Sequence, residues 1–560
     1  MTKKILLLFI ILLLVQTASA RQGQITLLTV AEHQDTRIGG TADLYLELRP
    51  GSGRVFIDSF PLTQLDTQIS TRFAKEFACN FLEYNCNQYD FFYTIRASSS
   101  VVGGPSAGAA TTILTIAVLD KTPLLNNVVM TGTINSGGII GPVAGVEAKS
   151  RAARASGFDT ILLPKWSVLD VEDNETVFAE ELSVEGLNII TVSTVEEALL
   201  QFTGKNYSKP VEVLQVPTQY TQIMGEISGD LCRRYYDITD EVLNQTREQI
   251  ENAESAMERG DFYSAASFCF SANVAARTIQ YENLTSDEKF EILEVLAGKL
   301  FSLTDYVNEQ ELNTFSDLEA SVIVKERLLE AQTLLDRPNV LNNLAYIEER
   351  LFSAQSWAKF FEYDSPSLEL DSEYLNSACN AKLAEVDERI SYLAYMSGTT
   401  AGYQDQLDET RVVARSGDYA FCLFRATRIK ADINALLITV MVRDRLDDLA
   451  QDKLELAHAR LSGSSEFSIL GYSYYDYALS LRESNPNLAI IFSEYALEFG
   501  NLDMYFPPDD SRSIFVFTED PYFRIGFMMG VVLSALALIL TILIIMNKPR
   551  KAKSSPGKKR

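Results

Sequence analysis

Between residues 24 and 203 the spacing of hydrophobic positions changes period several times. Ala42-Asp43-Leu44-Tyr45-Leu46-Glu47-Leu48 alternates apolar and polar side chains, the pattern of a half-buried strand, and Pro50-Gly51-Ser52-Gly53 closes it with turn residues. Residues 66–82 instead place Ile69, Phe73, Phe77 and Leu82 at helical spacing. Residues 91–97 read as a strand and 107–119, small and apolar throughout, as a buried helix. Residues 128–134, 160–163 and 188–192 read as further strands, and 194–202 as a closing helix. Strands and helices mixed in this way predict one α/β domain over residues 24–203.

The pattern then shifts. Residues 204–220 carry Pro210 and Pro217 without helical period and read as a linker. From 221 to 512 long amphipathic stretches dominate, punctuated by turns such as Arg259-Gly260-Asp261 and Ser416-Gly417-Asp418. An all-α region is expected there, built by antiparallel helix packing. Residues 253–272 and 412–426 share a Gly-Asp-aromatic turn, which hints at an internal duplication or at helical repeats of the tetratricopeptide kind.

The two ends read as addresses. Lys3 and Lys4, an apolar core over 5–15 and Ala18-Ser19-Ala20 predict a signal peptide over residues 1–20. Residues 525–546 are uncharged and apolar, long enough for one C-terminal transmembrane helix, and 547–560 form a basic tail. Basic residues beside a span stay on the cytoplasmic side, so the expectation is a single-pass type I protein of the cell membrane, its large domain outside the cytoplasm. The whole chain carries 49 basic against 75 acidic residues, a net charge of −26. That balance repels phosphate and argues against nucleic acid as a partner. Six cysteines and the sequons at Asn174, Asn206, Asn244 and Asn283 agree with export.

The candidate chemistry lies in two stretches. Ser106 sits in Gly103-Gly104-Pro105-Ser106-Ala107-Gly108, and Lys149 closes Gly141-Pro142-Val143-Ala144-Gly145-Val146-Glu147-Ala148-Lys149. A serine hydroxyl needs a neighbouring base. The chain has only two histidines, His33 and His458, and neither lies in a histidine-triad motif. A lysine serves as base if burial lowers its pKa from about 10.4 towards the working pH. Ala144, Val146, Ala148, Ala152 and Ala153 offer apolar walls for Lys149.

With Thr131-Gly132-Thr133-Ile134 between them and Leu163-Pro164-Lys165 after, these stretches resemble the proteolytic domain of Lon proteases, serine–lysine peptidases. The resemblance covers residues 24–203 and implies Ser106 as nucleophile, Lys149 as base and Thr131 as the hydroxyl that orients Lys149. Backbone N–H groups of Gly104 and Ser106 are the oxyanion-hole candidates. Two departures stand out. Many family members have an acidic residue directly before Gly-Pro-Ser, where this chain has Gly103, and no GxxxxGK[ST] phosphate loop occurs in the sequence. The expected activity is therefore ATP-independent endopeptidase action on unfolded or flexible polypeptides. No nucleotide, metal or other cofactor is expected, and a homo-oligomer remains open. The competing expectation is an inactive surface scaffold that binds through its helical region.

The cysteines constrain the helices. Cys79 and Cys86 would lie about 10 Å apart on one helix, and a disulfide needs Cα atoms within about 7 Å. They pair only if the helix ends between them, near Tyr84-Asn85. Cys232 is expected to pair with Cys269 and Cys379 with Cys422, since each second cysteine follows a Gly-Asp-aromatic turn. A helix break at residues 238–240 would set the Cys232 and Cys269 helices side by side.

Overall fold

The computed structural model describes residues 21–33, 36–169, 177–239, 242–365, 372–400, 402–442, 444–464, 466–506 and 529–530. Nine strands are described: β1 (Arg21–His33), β2 (Thr36–Pro50), β3 (Val55–Thr63), β4 (Tyr89–Val102), β5 (Val128–Met130), β6 (Thr133–Asn135), β7 (Ile139–Gly141), β8 (Thr160–Pro164) and β9 (Asn188–Val192). Seven of them form one sheet in the order β3-β4-β2-β1-β5-β8-β9, while β6 and β7 make a separate two-stranded sheet. Pairing is antiparallel for β1–β2 and β2–β4 and parallel for β3–β4, β1–β5, β5–β8 and β8–β9.

Four helices interleave with the strands: α1 (Leu65–Phe81), α2 (Gly108–Asp120), α3 (Val146–Ala155) and α4 (Val195–Thr203). Alternation along the strands gives the sheet two apolar faces. Leu27, Met130 and Leu162 point into one core with Phe73 of α1, Ile113 of α2 and Leu199 of α4. Their neighbours Leu28, Val129 and Ile161 point into the other, with Val146 and Ala153 of α3. Helix α2 is buried from Gly108 to Leu119. Its threonines survive there because Thr111, Thr112 and Thr115 donate to carbonyls one turn back.

One expected strand is cut short. The run 128–134 leaves the main sheet after Met130, because the Gly132 N–H donates to Ser106 O at 2.9 Å instead of continuing a ladder. The chain resumes as β6 at Thr133.

The helical region holds α5 (Thr218–Ile238), α6 (Arg247–Arg259), α7 (Phe262–Glu282), α8 (Ser286–Asn308), α9 (Phe315–Leu335), α10 (Leu344–Trp357), α11 (Ser372–Ser397), α12 (Tyr403–Arg415), α13 (Tyr419–Met441), α14 (Leu446–Gly463), α15 (Ile469–Leu481) and α16 (Pro486–Phe499). It is one compact unit with the α/β domain. Trp166 and Phe178 of the α/β domain pack with Ile438 of α13, Leu449 of α14 and Ile490 of α16.

The fold expected from the sequence is corrected at its C-terminus. Among the described residues no helix is long and apolar enough to cross a membrane. An α/β domain followed by a helical region is what the structure supports, without a C-terminal transmembrane helix, and the single-pass localisation loses its support with it. The stretch 525–546 lies outside the described residues except for Met529 and Gly530, and residues 1–20 and 547–560 lie outside them altogether.

Candidate active site

Ser106 stands on a tight turn between β4 and α2. The turn is possible because Gly104 adopts φ 94° and ψ 148°, a conformation open essentially to glycine alone. Pro105 then presets the first residue of a short 3₁₀ turn, Pro105–Ala107, from which α2 continues. The turn is docked from beyond the end of β5. Ser106 O accepts from Gly132 N at 2.9 Å and from Thr131 Oγ1 at 3.3 Å, while Ala109 N donates to Gly132 O at 3.1 Å.

Lys149 approaches from the opposite side of the sheet core, on the first turn of α3. Gly145, left-handed at φ 67°, turns the chain into that helix, and Lys149 N donates to Gly145 O at 3.0 Å. The helix lies tight on β2. A Cβ on Gly39 would fall 2.0 Å from Ala148 O, so a side chain at position 39 would push Lys149 off its seat. Lys149 is 2% exposed and donates from Nζ to Thr131 Oγ1 at 3.1 Å. Burial, with repulsion from Arg37 second, pulls its pKa down to about 7. Thr131, 1% exposed, is thus the link: its hydroxyl accepts from the amine and donates to the main-chain carbonyl of Ser106. With that hydroxyl proton engaged elsewhere, the amine lone pair is left for another donor.

One expected oxyanion donor is already occupied. Gly104 N donates to Asp66 Oδ2 at 2.9 Å, and Asp66 Oδ1 accepts from Thr67 N at 2.6 Å at the start of α1. The N–H of Ser106 remains the candidate. Asp66 is a residue that the sequence did not single out: the carboxylate that meets the Ser106 turn comes from α1. A separation of 38 residues leaves no local pattern to find it by.

The remaining sequence-derived residues fall elsewhere. His33 ends β1, and the His458 ring on α14 sits 5.9 Å from that of Tyr475. Cys79–Cys86, Cys232–Cys269 and Cys379–Cys422 are brought together as disulfides with Cα separations of 6.0, 5.0 and 5.7 Å. Among the described residues no group of three or more His, Cys, Asp or Glu is arranged to hold a metal.

The family model for the Lon protease (S16) C-terminal proteolytic domain matches residues 82–202. Residues 82–202 thus match a Lon-type proteolytic domain. The match takes in Ser106, Thr131 and Lys149 and supports serine-peptidase chemistry for the domain. Similar curated proteins are the Lon protease of Rickettsia felis, 33% identical over 124 residues, covering 22% of this chain and 15% of that protein. Lon protease 2 of Bacillus subtilis is 33% identical over 98 residues, 18% and 16% of the two chains. The Lon protease of Fervidobacterium nodosum is 27% identical over 175 residues, 30% and 21%. The chain therefore spans about a fifth or less of the length of these relatives, and the likeness is confined to the Lon-type domain.

Proposed function

We propose that this chain is a serine endopeptidase in which Ser106 and Lys149 act as a dyad, cleaving unfolded or flexible polypeptides without nucleotide. One observation carries the proposal: a buried lysine, its pKa lowered to about 7, shares Thr131 with the carbonyl of the serine turn. The neutral Lys149 amine takes the Ser106 Oγ proton as Oγ attacks the substrate carbonyl carbon. The developing oxyanion is received by the Ser106 N–H, and Gly104 N–H joins it once released from Asp66. The tetrahedral adduct collapses as the Lys149 ammonium returns the proton to the leaving amine. Water, deprotonated by Lys149, then attacks the acyl ester and frees Ser106. The absence of a GxxxxGK[ST] run from the sequence supports the nucleotide-free part of the reading. The three disulfides suit a compartment where thiols stay oxidised.

Peptide mapping of an unfolded test protein after incubation with the purified chain tests the proposal. Cleavage is expected from the wild type and none from Ser106→Ala or Lys149→Ala, both folded, because the two groups work as one unit. Near wild-type turnover by Lys149→Ala at neutral pH would sink the dyad.

A further inference from the structure

The β6–β7 hairpin, beside the site, is a two-stranded sheet of its own. It stands outside the seven-stranded sheet, joined to it by links such as Ile140 N to Ser193 O at 2.9 Å. A two-stranded ribbon by itself is marginal in water. Yet the hairpin starts directly after Thr131 and Gly132, the two residues that hold Lys149 and the Ser106 carbonyl. Thr131 N also bonds Leu162 O at 3.2 Å, so the hairpin shares the placing of these two residues with β8 and the Ser106 turn.

Ile134 and Ile140 pack the hairpin into the core of the α/β domain; its tip and its other face are held by the helical region. Ser136, at the hairpin tip and 2% exposed, donates to Glu498 Oε2 at 2.7 Å. Lys382 and Lys430 approach the same hydroxyl at 3.5 and 3.3 Å. Glu498 binds those two amines at 3.0 and 3.2 Å, and Glu385 at 3.3 and 2.6 Å. Each of the four charged residues is at most 4% exposed. Burial alone would raise the Glu498 carboxyl, but Lys382 and Lys430 overrule it and hold the group at about 2. Beside them Arg389 donates to Ile134 O at 3.0 Å and to Asn135 Oδ1. Ile139 of β7 lies in the core of the helical region, not in that of the sheet.

Four charges buried in one neutral cluster are a poor way to gain stability, since well-packed apolar residues do as well or better. In several proteins such groups serve instead to fix one register. We infer that the Lys382–Lys430–Glu385–Glu498 cluster, acting through Ser136, is a positioning device that holds the β6–β7 hairpin, and with it Thr131, where the Ser106–Lys149 pair needs it. The helical region is then part of the support of the peptidase site. This rests on the dyad reading above.

Ser136→Ala unhooks the hairpin without stranding a charge, and Lys382→Met/Glu498→Gln removes one charge of each sign from the cluster. In both, kcat on a short unstructured peptide should fall about tenfold or more, the scale of a sub-ångström misplacement, with KM unchanged. A second readout needs no turnover. Competitive acetylation of the Lys149 amine against pH, followed by peptide mass spectrometry, should titrate near 7 in the wild type and higher in the variants, as the loosened hairpin admits water. Folded variants with wild-type kcat and an unmoved Lys149 titration overturn the inference while leaving the dyad standing. An inactive wild type whose Lys149 titration still shifts in the variants overturns the dyad and keeps the positioning device.

Discussion

Lys149 carries two consequences of one burial. Its amine is protonated below about 7, so turnover should rise as pH passes upward through that value and flatten above it, an acidic limb readable in kcat/KM. Stability follows the same proton with a definite sign. The folded pKa lies below the ordinary 10.5, so between about 7 and 10.5 the unfolded chain binds a proton that the folded chain does not. Stability contributed by this group therefore rises with pH across that window, by up to about 1.4 kcal/mol per unit, and is absent below it. Lys149→Met should flatten that slope and unfold at a higher temperature than the wild type at pH 7.5, a difference that calorimetry at several pH values reads directly. Equal slopes would mean that Lys149 is not desolvated. Thr131→Val keeps shape but removes the hydroxyl that joins Lys149 to Ser106, so activity should fall less than in Lys149→Ala, as misorientation rather than loss of the base.

At the scale of elements, the Ser106 turn depends on one backbone angle. A Cβ on Gly104 would touch nothing within 4 Å, so Gly104→Ala meets no steric obstacle, only the strain of φ 94°. That strain is worth about 1–3 kcal/mol, and peptidase assays should show a large loss of kcat with little change in thermal midpoint if the turn relaxes rather than the domain. The sequence made most of these elements legible because their signals are local. Alternation marks β2, helical spacing marks α1, and the run of small apolar residues marks α2. The break at Thr131–Gly132 was not legible, because its cause is a hydrogen bond to Ser106, 26 positions earlier for Gly132. The cysteine geometry was legible because it combines two short-range facts. Helix α1 ends at Phe81, before Cys86, and α5 ends at Ile238. In the helical region α5-α6-α7 and α11-α12-α13 share a plan: two long helices flank a 13-residue helix, and a disulfide ties the first to the third. Replacing Cys232 and Cys269 together by alanine should cost about 2–4 kcal/mol of stability, seen as a lower denaturant midpoint.

At the scale of the molecule, what the sequence hid is the contact between its two halves. The Arg460 guanidinium holds the Glu196 carboxylate of α4 at 2.6 and 2.8 Å, Lys165 meets Asp452 at 2.5 Å, and Arg445 meets Glu180 at 2.6 Å. Each joins residues more than 260 positions apart, beyond the reach of any periodicity, so the sequence showed only a linker and a helical region after it. It is instead continuous with the α/β domain, and the C-terminal membrane span expected from hydropathy has no place among the described helices. This arrangement bears on energy coupling. Pulling a folded substrate apart needs a nucleotide-driven motor, and the sequence has no phosphate loop to drive one. An unstructured peptide should therefore be cleaved at the same rate with and without ATP and magnesium. A stably folded protein of the same composition should survive until denaturant or heat opens it. Fluorogenic peptide and folded-substrate assays run side by side decide the matter: several-fold stimulation of either by ATP in the purified chain would refute nucleotide-independent action, whereas rates that track only the unfolded fraction of the substrate are the expected result.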